Sequence, residues 1–150
     1  MAFLIALHGL AAVIWVGGMF FAYVVLRPAA QALEAAVRLP LWARTFARFF
    51  PWVWAAVVLL PASGYAVIAS RFGGFAHLPL YVNVMQALGI LMILLYLHVF
   101  FAPYRRLRKG VAAGDFVKAG QALTQIRKLV GVNTVLGLAT IFVALFGAAG

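Results

Sequence analysis

Four blocks of this chain, residues 3–26, 50–69, 80–102 and 129–149, contain no Lys, Arg, Asp or Glu. Each is about 20 residues or longer, enough at 1.5 Å per residue to cross the roughly 30 Å hydrocarbon core of a bilayer. Inside lipid every backbone N–H and C=O needs a partner within the protein, so a spanning segment is a helix or part of a closed barrel. Blocks this long lack the short alternation of membrane-barrel strands. The expectation is therefore an all-α integral membrane four-helix bundle of up-down topology, with residues 1–150 forming one transmembrane domain. Composition agrees: 67% of residues are hydrophobic and 9% charged, whereas a soluble globule carries roughly 25% charged residues to wet its surface. The first block has no basic segment before it and is too long for a signal-peptide core, so it reads as a retained membrane helix.

The charges lie between the blocks. Residues 27–49 hold Arg27, Arg38, Arg44 and Arg48, with Glu34 as their acid. Residues 103–128 hold Arg105, Arg106, Arg108, Lys109, Lys118, Arg127 and Lys128, with Asp115. Residues 70–79 hold Arg71 alone. Eleven of the twelve basic residues thus fall in the first and third connectors. The positive-inside rule places those connectors in the cytoplasm of a bacterial-type inner membrane, with both termini and residues 70–79 on the outer side. A net charge of +10 in this arrangement points to anionic head groups of the lipid bilayer rather than to nucleic acid. The chain has no cysteine, which excludes disulfides, thiolate metal sites and thiol catalysis.

The connectors carry structure of their own. Leu41, Trp42, Phe46, Phe49 and Phe50 interleave with Arg44 and Arg48, predicting a short interfacial helix ahead of the second span. Asp115 is placed to cap a helix running towards the fourth span. Pro61 falls inside the second span and is expected to kink it. Asn133, Gly137, Thr140, Ala144 and Gly147 share one stripe of the fourth span, a seam of small and hydroxyl residues that lets helices approach in lipid.

Ionisable side chains at membrane depth cost several kcal/mol and start as functional candidates. His8 lies about five residues into the first span and His98 near the inner end of the third. In an up-down bundle these spans run parallel, so the offset of about 13 residues separates the two histidines by roughly 20 Å. Axial ligands of one iron must place their nitrogens about 4 Å apart, so the pair cannot clamp one haem within a chain. At the depth of His8 the third span offers Met85, and a Met/His pair is an accepted axial set for electron-transfer haem. Met85, Gly89, Met92 and Tyr96 share one stripe, as do His8, Ala12, Trp15 and Met19 on the first span; Gly89 leaves room for a flat macrocycle. The candidate ligands are His8, His98 and Met85, with Trp15 and Gly89 as packing positions around a cofactor. The alternative for His8 is a core histidine bonded to a carbonyl or water; for His98, an interfacial histidine bonded to Asn133 or head groups. His77, before Pro79, reads as a solvated loop residue, the alternative being an outer metal site with His8.

The stretches LHGLAAVIWVGGMFFAYVVLRP, LHVFFAPYRRLRKGVAAGD and QIRKLVGVNTVLGL resemble the CopD-like (copper resistance D) membrane proteins, in particular four-helix members of that group. The features are a histidine near the start of the first helix, then W-x-G-G and an apolar run. The resemblance extends to HemJ-type protoporphyrinogen oxidases, whose first helix carries a haem-associated histidine; it implies His8 as a haem ligand and Trp15 as its packing partner. The oxidases open their third helix with a lysine in a polar cluster, where this chain reads Asn83-Val84-Met85-Gln86.

Three functional readings follow. In the first the chain binds haem b and takes part in electron transfer or haem-linked redox chemistry, as a haem-dependent membrane oxidoreductase if it is an enzyme. In the second it transports copper or confers copper tolerance through His8, Met85, Met92 and Met19, since soft thioether and imidazole ligands suit Cu(I). The third is a structural membrane subunit without cofactor. A homodimer or a redox partner fits any of them. No catalytic residue is assigned. With Glu34 and Asp115 in separate connectors, no serine–histidine–acid set can be drawn.

Overall fold

The computed structural model describes all 150 residues. Helix α1 (Ala2–Phe20) continues through a π-helical segment, Phe21–Leu26, into the single turn α2 (Arg27–Ala30). Then come α3 (Ala35–Arg71), α4 (Leu80–Phe101), α5 (Pro103–Ala112) and α6 (Phe116–Ala149). Four of these stretches are long and apolar enough to cross a membrane. The π segment has a local cause. Pro28 has no N–H to return to Val24, and its ring crowds that carbonyl; the widened turn lets the Arg27 N–H reach the Ala22 carbonyl five residues back.

The expected interfacial helix is not a separate element: residues 35–71 form one helix through Pro40, Pro51 and Pro61. At 1.5 Å per residue this 37-residue helix is about 55 Å long, and the 34-residue α6 about 50 Å. Both exceed the hydrocarbon thickness. Their surplus lies at the end of the bundle that carries the basic connectors, where Arg38, Arg44 and Arg48 of α3 and Lys118, Arg127 and Lys128 of α6 sit. At this basic end α3 and α6 pack with α5. The α5–α6 corner is set by sequence. Gly114 takes a left-handed conformation (φ 69°), the Asp115 N–H returns to the Gly110 carbonyl at 2.9 Å, and the Asp115 carboxylate accepts from the Lys118 N–H at 3.1 Å. This joins a glycine C-terminal stop to an N-cap.

Burial follows the change of solvent along the helices. Leu107, Ala119 and Ile126 are 0% exposed and Leu39 1%, and all four belong to the basic end. In water apolar surface is driven inward, whereas lipid solvates it as well as a neighbouring side chain does. Accordingly, within the spans Val13, Val58, Leu94, Val135 and Phe142 remain exposed as the lipid-facing surface.

The spans do not pack as a simple ring of sequence neighbours. Helix α1 lies along α3, α4 lies along α6, and α6 touches α1 and α3, while the backbones of α3 and α4 barely approach each other. Aromatic side chains fill that gap in the half nearer the basic end. The Phe50 ring stacks on Phe46 at 5.1 Å between centroids and meets Tyr104 at 4.7 Å and Tyr96 at 5.4 Å edge-on. Trp54 meets Tyr96 and Phe100 edge-on at 5.4 and 5.3 Å. The stripe read on the fourth span is a packing seam: an added Cβ at Gly137 would meet Val16 and Met92, and one at Gly147 would meet Tyr81.

Candidate functional site

Helices α1 and α3 run antiparallel, and two polar contacts between them stand seven residues apart. Ser70 lies 3.6 Å from the Met1 sulfur. Seven residues on in α1 and seven back in α3, His8 Nδ1 lies 2.9 Å from Ser63 Oγ. A further step reaches Trp15 and Ala56, both buried. A seven-residue repeat keeps one stripe of each helix facing its neighbour, so the sequence interval between Met1, His8 and Trp15 places all three on the α1/α3 seam.

His8 turns its Nδ1 to α3. Ser63 is 3% exposed, and its hydroxyl donates to the Leu59 carbonyl at 2.5 Å. A serine has one proton to give. With that proton on Leu59, Ser63 Oγ accepts from His8 in its Nδ1–H tautomer, and Nε2 is then the nitrogen left with a lone pair. A ring N–H held by a neighbour while the other nitrogen is free is the arrangement of a metal-binding histidine. Ser63 owes its position to the α3 turn that follows Pro61. The next residue, Gly64, lets the imidazole lie close, since an added Cβ there would stand 3.3 Å from His8 Cε1. His8 itself is half-buried.

The other sequence candidates are dispersed. Trp15 is buried and meets Tyr96 edge-on at 6.2 Å, the point at which the stripes of α1 and α4 come together. Met85 is half-buried on α4, whereas the polar contact of His8 is with α3. An added Cβ at Gly89 would meet nothing within 4 Å. His98 is exposed near the basic end of α4. Asn133 does not serve His98: its Nδ2 donates to the Met92 carbonyl at 3.2 Å, and its buried Oδ1 has no partner. Met19 and Met92 are 3% exposed, deeper in the bundle than His8. His77 is exposed in the loop. No three His, Asp or Glu side chains converge to hold a metal ion. Ser63 is not among the sequence candidates, although a Ser-Gly pair in an apolar span marks a close helix contact.

Four lipid-length helices, basic residues gathered at one end, and a half-buried imidazole held on a helix seam define a polytopic α-helical membrane protein. Residues 43–146 match the model of the Copper resistance protein D family, CopD, and the chain belongs to that family. The matched region includes Ser63 and His98 and begins after His8. No curated protein and no solved structure matches the chain.

Proposed function

We propose that this CopD family protein moves or sequesters copper at a bacterial-type inner membrane, with its basic end in the cytoplasm and with His8 Nε2 as a ligand to the ion. The observation that carries this reading is the contact of 2.9 Å between His8 Nδ1 and Ser63 Oγ; in the Nδ1–H tautomer it anchors the ring and leaves Nε2 for the ion. Copper is the cargo here. Imidazole and thioether donors suit it, and a site of few ligands matches a cargo ion, because transport needs binding weak enough to be reversed. Met1 stands one seven-residue step nearer the outer end of the same seam, about 10 Å away. That is too far to share an ion with His8 and suits a separate station.

The experiment is a Cu(I) competition titration on detergent-purified protein, with an optical spectrum of the same sample. Bound copper that falls at least about tenfold in affinity with His8→Ala, and is unchanged by His98→Ala, supports the reading. Copper binding indifferent to His8→Ala overturns it. A Soret band lost with His8→Ala would assign the imidazole to haem b instead, and the redox reading would replace the copper one.

A further inference from the structure

A second site lies at the basic end, outside anything the copper reading uses. A cavity of about 340 Å³ opens between the π segment with α2, the start of α3 and the start of α6. Arg27, Arg38 and Arg127 line it. These three are half-buried, whereas the other nine Lys and Arg residues are all exposed. No carboxylate lines the cavity. Of the two acids, Asp115 faces Lys118 at 3.8 Å and Glu34 is exposed. Three partly desolvated guanidinium groups around one space repel one another and go uncompensated unless an anion enters.

The rest of the lining indicates which anion. Arg27 lies 4.8 Å over the Tyr23 ring, which limits the geometry in which its planar fork can meet a ligand. Arg38 gives one N–H to the Leu33 carbonyl at 2.8 Å and keeps others free. Guanidinium forks match phosphate oxygens in bidentate fashion. Trp42, Phe46 and Val130 supply an apolar wall on the side of the spans. The π-helical turn beside it contributes Ala22 and Tyr23, and such turns recur at functional sites. Basic pockets between membrane helices on the cytoplasmic side are suited to phospholipid head groups. We infer that this cavity binds a phosphate-bearing anion through Arg27, Arg38 and Arg127, with the apolar wall receiving the part of the ligand next to the phosphate.

Two sources supply that chemistry, an anionic phospholipid of the inner leaflet and a soluble phosphate ester. Native mass spectrometry of the full chain, titrated with phosphatidylglycerol, and calorimetry with glycerol phosphate separate them. The cavity variant is R38Q/R127Q; the control is R105Q/R106Q, which removes the same charge from exposed positions of α5. One retained phosphatidylglycerol, weakened about tenfold or more in the cavity variant and within about twofold in the control, supports the site with lipid as its source. Glycerol phosphate binding with the same dependence, and no retained lipid, supports the site with a soluble source. Equal weakening in both variants overturns the inference, because the attraction is then diffuse surface charge; so does unchanged binding in the cavity variant, or binding of neither ligand. If R38Q/R127Q does not elute as a single species, R127K carries the test. It keeps the charge and loses the fork, so weakening by about threefold or more supports the site and unchanged binding overturns it.

Discussion

At the scale of single residues the structure turns an isolated histidine into a pair. Ser63 Oγ lies within hydrogen-bond distance of both His8 Nδ1 and the Leu59 carbonyl, so removing it acts twice. Ser63→Ala should weaken Cu(I) binding by about tenfold or more by releasing the imidazole. It should also cost about 1–3 kcal/mol by leaving a buried N–H unpaired. Competition titration and thermal unfolding in detergent read the two effects; full copper affinity in S63A would remove the positioning role. Glycines separate in the same way. A Cβ at Gly110 would stand 2.9 Å from the Ala119 backbone nitrogen, and one at Gly89 would meet nothing. Gly110→Ala should destabilise by about 1–3 kcal/mol, because backbone must move to admit it. Gly89→Ala should be neutral or stabilise by up to about 1 kcal/mol through helix propensity. Loss of stability in G89A would mean that the space beside it is not free.

Among the elements, the helices were legible in outline and their ends were not. The four charge-free blocks located the spans because lipid leaves the backbone no alternative to a helix. The reading separated an interfacial helix from the second span at the change from mixed to wholly apolar residues. The structure carries α3 across that change: the switch of solvent from water to lipid alters which side chains are tolerated, not the backbone's hydrogen bonding. The π segment gave no compositional signal, since a proline such as Pro28 breaks the helical ladder whether the chain then stops the helix or widens the turn. The cap at Asp115 was legible, because a side chain accepting from the N–H three residues on is a local event. Asp115→Ala should cost about 1 kcal/mol and Asp115→Asn much less, measured as a shift in unfolding temperature. Equal losses would shift the explanation to the Lys118 ion pair, which as an exposed contact is worth little.

For the whole molecule the pairing of spans decides what the polar residues can do together. The two stripes read on α1 and α4 suggested a pocket between those helices, but α1 lies along α3 and α4 along α6. Trp15 and Tyr96 do meet across the middle, as the stripes required; His8 instead turns to Ser63. The orientation of the bundle in the membrane is testable without background, because the chain has no cysteine. Ala76→Cys, in the loop between α3 and α4, should react with a membrane-impermeant maleimide on intact spheroplasts. Leu33→Cys, beside Arg27 and Arg38, should react after permeabilisation alone. The reverse pattern would place the basic end outside.

Sequence alone determined that this chain crosses a membrane four times, that its basic residues gather at one end, and that His8 is costly enough to need a reason. Those are statements about the solvent each residue meets, and a single side chain's transfer cost carries them. The partner of His8, the separation of α3 from α4, and the assembly of Arg27, Arg38 and Arg127 around one cavity were decided by tertiary structure. Apolar helices pack in lipid with little difference in energy between one neighbour and another. Which pairs form therefore depends on close contacts such as His8 with Ser63 and Gly64, or Gly137 with Val16, and these exist only once the helices have met.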